Sequence, residues 1–161
     1  MIRRPPRSTR KESSAASDVY KRQEKYLGDY TSVVYRSLWE RQCFKWCENN
    51  PNVKAWNSEE VVVPYLSRHD KRMHRYFVDL LVEMTNGEIY LVEIKPKIQT
   101  QPPVKPKRKT KRYINEVVTY VKNQDKWESA NKFAKHKGWK FQIWTEDTLK
   151  NLGIKLIKSG S

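Results

Sequence analysis

A chain of 161 residues suits one domain built on one core. Its formal charge of +15, from 33 basic and 18 acidic side chains, points to a polyanionic partner, nucleic acid first and an anionic membrane surface second. No apolar run nears the roughly 20 residues of a membrane span, and the basic N-terminus lacks the apolar stretch of a signal peptide.

Residues 1–23 show no hydrophobic periodicity and are expected to form a disordered basic tail. Such a tail suits a basic arm for nucleic acid. Ser14-Ala15-Ala16-Ser17-Asp18-Val19-Tyr20-Lys21-Arg22-Gln23 instead resembles translated sequencing-adaptor read-through, and on that reading the tail is a gene-prediction artefact outside the fold. It holds seven basic and two acidic residues, so the remainder still carries +10. The folded domain is expected over 24–161.

Tyr35, Leu38, Trp39, Cys43, Trp46 and Cys47 recur at three- and four-residue spacing, which predicts an amphipathic helix over 36–49 ended by Asn49-Asn50-Pro51. Ser37-Leu38-Trp39-Glu40 fits a capping box. Glu40 either closes that box or is presented by the helix to a metal. Cys43 and Cys47 lie on the apolar stripe, where packing is the default and a reducing, cytosolic setting is implied. A zinc site with His69 and His74 is the alternative, although the spacings match no common zinc pattern.

Residues 53–56 and 61–66 read as short strands, and Pro64 places the second at an edge or a bend. A polar basic loop over 67–74 carries His69 and His74, read as loop or phosphate-contacting residues. Two further strands are expected over 75–79 and 87–96, joined as a hairpin by Asn86-Gly87. Alternation in the second puts Ile89, Leu91, Glu93 and Lys95 on one side. Two charges of opposite sign thus end an apolar face. An Asp on one strand and Glu-x-Lys on the next form the pattern of a metal-dependent nuclease: two carboxylates hold a hard divalent cation, and the Lys serves the attacking water or the phosphate. The plainer reading is a surface hairpin with one ion pair, since Glu-x-Lys alone is common.

From Lys95 to Arg112 there are eight basic residues and no acidic one, with Pro96, Pro102, Pro103 and Pro106 among them. Proline forbids a long helix, so this is an extended loop, either a solvated linker or a phosphate clamp for DNA. Arg75, Lys97, Lys105, Lys107, Arg108, Lys109, Lys111 and Arg112 are the candidate DNA contacts. A helical region follows over 110–136, with a break expected at Asn123 and Gly138 as its C-cap, then a strand over 141–144 and a short helix from Thr145 to Leu152. There is no phosphate-binding glycine loop, nucleophile elbow or repeat.

In this order the elements resemble the PD-(D/E)xK nuclease superfamily, and more narrowly the head completion nucleases of T-even-type phages, related to the TnsA endonucleases of heteromeric transposons. The residues that carry the resemblance are Tyr35-Arg36-Ser37-Leu38-Trp39-Glu40-Arg41, Pro51-Asn52-Val53, Ser58-Glu59-Glu60-Val61, His74-Arg75-Tyr76-Phe77-Val78-Asp79, Glu93-Ile94-Lys95-Pro96-Lys97, Asn123-Gln124, Lys126-Trp127, Gly138-Trp139-Lys140-Phe141 and Thr145-Glu146-Asp147. It covers 24–152. It implies a restriction-endonuclease-like α/β fold, a central mixed sheet flanked by helices. Asp79 and Glu93 would be metal ligands, Lys95 the catalytic lysine and Glu40 the helix-borne carboxylate of the TnsA-like branch. Val78 stands where the superfamily often has Pro. Gln124 is a candidate contact from the second helix. The implied cofactor is Mg²⁺, with Mn²⁺ as a substitute. The implied substrate is double-stranded DNA, the partners capsid portal or neck proteins, and the setting the host cytoplasm or the virion. The rival readings are a transposition endonuclease subunit, disfavoured because no room is expected for a separate C-terminal partner-binding domain, and a non-catalytic DNA-binding capsid module.

Overall fold

The computed structural model describes residues 24–30, 33 and 37–156, so the tail 1–23, Tyr35 and the expected first residue of the helix, Arg36, lie outside the described part. The elements run α1 (Leu38–Asn49), β1 (Val53–Asn57), β2 (Val62–Leu66), β3 (Met73–Phe77), β4 (Leu80–Met84), β5 (Ile89–Ile94), a 3-10 turn (Lys97–Thr100), α2 (Lys111–Lys137), β6 (Lys140–Trp144) and α3 (Glu146–Asn151). The main sheet has the order β1-β4-β5-β6. Its first two pairings are antiparallel and β5–β6 is parallel. This is the expected α/β architecture with a mixed sheet.

Local chemistry explains most boundaries. Ser37 Oγ accepts the Glu40 amide at 3.2 Å and caps α1. Gly138 closes α2 at φ 77°, a left-handed conformation that costs glycine little. Two parallel neighbours need a crossover, and α2 with the loop before it supplies one between β5 and β6. Asn123 does not break α2, which runs unbroken for 27 residues. One Asn in a helix interior costs under about 1 kcal/mol against Ala, less than the packing of the turns on either side.

The strand pairing differs from the expected hairpin. Residues 73–77 pair with β2, Arg75 facing Pro64, and not with β5. The Asn86-Gly87 turn joins β5 to β4, with Leu81 opposite Leu91. Leu80, Leu81 and Val82 are all buried, so the strand between has no alternation to betray it. Asp79 therefore lies in the two-residue link, Val78-Asp79, between β3 and β4.

Both faces of the sheet are covered. On one, α1 and α3 lay Cys43, Phe44, Cys47 and Leu149 against Trp56, Leu80, Val82, Val92 and Ile94. On the other, α2 and the β2–β3 hairpin bring Trp127, Ala130, Ala134, Val63, Tyr65 and Tyr76 onto Leu81 and Leu91. The hairpin is tied to α2 by a two-point contact. The carboxylate of buried Asp125 accepts from Arg68 Nε at 2.6 Å and from the Arg68 backbone N at 2.9 Å. The Asp125→Ala variant is expected to lose about 1–3 kcal/mol of stability, read as a lower denaturant midpoint, because two charge-assisted bonds that tie the hairpin to α2 go.

Candidate active site

The register of the sheet builds the site. Leu80 sits opposite Val92, so Asp79 continues one step further, beside Glu93. Asp79 Oδ2 accepts the Ile94 amide at 2.8 Å, which locks the carboxylate against the end of β5. Glu93 lies on the α2 side of its strand with Leu91, as the alternation predicts, and is buried. Burying a carboxylate requires donors. Glu93 Oε2 accepts from the Tyr76 hydroxyl and from Trp127 Nε1 at 3.0 Å. The Glu93 carboxyl also lies within side-chain hydrogen-bonding reach of Asp79. Among the described residues Lys95 makes no ion pair with Glu93, so the expected pairing of the two strand charges is replaced by neutral donors. The Lys95 backbone N is fixed to the Trp144 carbonyl at 3.0 Å, and the side chain is half-buried at the end of β5.

Electrostatics bring in two more residues. The Asp79 carboxyl is pushed well above the usual carboxylate range, first by burial, then by Glu93 and then by Glu40. Glu40, in the first turn of α1, also raises the Cys43 thiol, after burial. Three acidic side chains from α1, the β3–β4 link and β5 thus converge. Lys126, half-buried on α2, is pulled down by burial and feels the opposing fields of Glu93, Lys95 and Asp79. Its Nζ lies 5.8 Å from the centre of the Tyr76 ring. The site is therefore a crowded set of carboxylates with two ammonium groups, Lys95 and Lys126, at its side.

This donor set fits a hard divalent cation. Like-charged carboxylates held together destabilise one another, and a cation between them relieves that cost. No group of three or more His, Cys, Asp or Glu closes into a cage among the described residues. Mg²⁺ asks for less, since it keeps several waters and is commonly held by one or two carboxylates. Asp79 and Glu93 would hold it, with Glu40 alongside. The zinc alternative fails. Cys43 and Cys47 are fully buried in the core beneath α1 and burial drives both thiols upward. His74 bonds Asp70 at 2.7 Å in the hairpin, on the far side of the sheet.

Other predicted residues fall around this centre. Gln124 lines a separate cleft with Arg68, Phe141 and Trp127, the last of which also donates to Glu93. Lys105, Lys107, Arg108 and Lys109 are exposed in the loop, and Lys111 and Arg112 occupy the first turn of α2. Cations at a helix N-terminus oppose its dipole, a cost that Arg112 offsets in part by pairing with Glu116 at 3.3 Å. Lys97 Nζ pairs with Asp147 at 3.2 Å while its amide donates to Glu146 Oε1 at 2.7 Å, which pins the loop to α3. Arg75 is exposed, its guanidinium 5.7 Å from the centre of the Phe77 ring.

The sequence reading gave no role to Tyr76, Trp127 and Lys126, which hold or flank Glu93. All three appear there only among the residues that carry the resemblance. Trp127→Phe keeps the packing and removes the Nε1 donor, so it is expected to cut divalent-metal affinity by about 10–100-fold, measured by calorimetry.

Comparison with known proteins agrees with this geometry. A family model described as the TnsA-like endonuclease N-terminal region matches residues 50–146, which hold the β3–β4 link, β5 and α2. The chain belongs to the TnsA-like endonuclease family. It is similar to the head completion nuclease of Enterobacteria phage T4, with 44% identity over 141 residues, covering 85% of this chain and 94% of that protein. No solved structure matches. Among the described residues no helix is long and apolar enough to cross a membrane.

Proposed function

We propose that the protein hydrolyses phosphodiester bonds of double-stranded DNA, with Mg²⁺ as cofactor and Mn²⁺ as a substitute, and acts on packaged DNA ends during completion of phage heads. The observation that carries the chemistry is the convergence of Asp79, Glu93 and Glu40 beside Lys95 in a member of an endonuclease family. A divalent metal bound there supplies a water of lowered pKa and neutralises charge on the phosphate. Asp79 and Glu93 fix its position, each with its own backbone or side-chain donors. Lys95 places its ammonium against the phosphate and the attacking oxygen. The basic residues of the 95–112 loop, with Arg75, hold the flanking backbone without reading sequence.

The head-completion role rests on the phage relative, whose near-whole length the chain matches, and this favours it over a transposition subunit. Capsid portal or neck proteins are the partners this role requires, and the infected cell or the virion its setting. The test is cleavage of end-labelled linear duplex against closed circular DNA of the same sequence in Mg²⁺. Products that shorten from the labelled ends, faster than circles are opened, support end trimming. Equal rates would leave a nuclease without that role. No cutting of either would overturn the enzyme reading.

A further inference from the structure

Next to the site lies a cleft of about 940 Å³ between the 95–112 loop and the first half of α2. Its size is that of pockets that enclose small ligands, about 300–1,000 Å³. One wall is largely apolar: Ile98 and Val104 are 78% and 86% exposed, with Pro102 and Pro103 between them and the amides of Gln99 and Gln101 beside them. The other wall is α2, which offers the Tyr120 side chain and the amides of Asn115 and Asn123. Large aliphatic side chains left in water at the centre of a strongly basic loop are not explained by the fold. Glu116, the acidic group on the lining, is paired with Arg112 at 3.3 Å, so the rim remains cationic overall.

The position of the cleft joins it to the candidate active site. Ile98 follows Lys95 by three residues. Asn123 is one helical turn before Trp127, the donor to Glu93. An apolar wall, an aromatic side chain, amides that can meet base edges and a cationic rim together suit a nucleobase whose phosphates run along the loop. A paired base inside a duplex cannot enter such a space.

We infer that this cleft takes an unpaired nucleotide of the DNA, so that the enzyme prefers substrates with a frayed or single-stranded end next to the cleaved bond. This rests on the nuclease reading above and deepens it. Tyr120 and the Ile98–Val104 wall grip the base, and the loop cations grip the backbone on either side.

The test measures binding of the full-length protein in EDTA, where nothing is cut, at fixed salt. Two duplexes carry the same short single-stranded tail, one with bases and one abasic, so that phosphate charge is equal. The expected result is tighter binding of the tail with bases by about tenfold, the order of one stacked base. Tyr120→Ala and Val104→Ser should each bring the ratio towards one. Val104 is so exposed that its substitution cannot unfold the chain, which keeps the test decisive if Tyr120→Ala folds poorly. A ratio near one in the wild type, or a ratio of ten that survives both variants, overturns the inference. If the ratio is one yet duplex DNA is cut in Mg²⁺, the nuclease reading stands and this inference alone falls. If no DNA is bound at all, both fall.

Discussion

Asp79→Asn is expected to lower DNA cleavage by at least about a thousandfold and, in the metal-free protein at neutral pH, to raise the melting temperature. The two effects share one cause. Asp79 is packed against other carboxylates, which costs stability unless a cation lies between them, as the proposed metal site requires. Its carboxyl lies well above the ordinary range, through burial first and the fields of Glu93 and Glu40 next. A group whose pKa is raised on folding contributes stability below its unfolded value, and that contribution is lost as pH rises through the folded value. The wild type should therefore gain stability on mild acidification from neutral pH, and Asp79→Asn should gain less. Mg²⁺ should raise the melting temperature of the wild type and not of the variant, since a ligand stabilises only the state that binds it. Thermal melts across pH, with and without Mg²⁺, read all of this. A variant less stable than the wild type in the absence of metal would mean that Asp79 is a structural acceptor for Ile94 and little more.

Lys95→Ala is expected to behave differently: cleavage falls by about 10²–10³-fold while the Mg²⁺-dependent rise in melting temperature persists. Lys95 is anchored through its backbone to Trp144, so the substitution leaves the end of β5 in place. In the proposed mechanism its ammonium would serve the phosphate and the water, which appear only when DNA is bound. A plot of rate against Mg²⁺ concentration should show the same midpoint and a lower ceiling. A shifted midpoint with an unchanged ceiling would assign Lys95 to holding the metal. Lys126, which feels the same fields, is expected to set the residual rate, so that the double variant falls below either single one.

Much of this arrangement is legible in the chain, and the gaps have physical reasons. Ser37, Gly138 and Asn86-Gly87 mark their boundaries because each supplies something local, a capping oxygen or a left-handed backbone. Glu93 shares a face with Leu91 because side chains alternate along any strand. The partner of β5 is hidden in the sequence for an equally plain reason. Leu80, Leu81 and Val82 are buried on both sides, so periodicity is silent there, whereas β3 shows the pattern of an edge strand and attracts the assignment. Tyr76 and Trp127 lie 17 and 34 residues from the carboxylate they hold. Nothing in their own neighbourhoods distinguishes a donor from a core aromatic, and only the packing of α2 and the hairpin over one end of β5 makes them donors. Asn123 looked like a helix break because propensity is local, while the stability of α2 comes from the sheet beneath it.

The most direct measurement is nicking of supercoiled plasmid by the full-length protein in Mg²⁺, in EDTA, and by Glu93→Gln in Mg²⁺. The account predicts nicking by the wild type in Mg²⁺ alone. Cleavage that persists in EDTA, or in Glu93→Gln, would contradict a metal site built on Asp79 and Glu93.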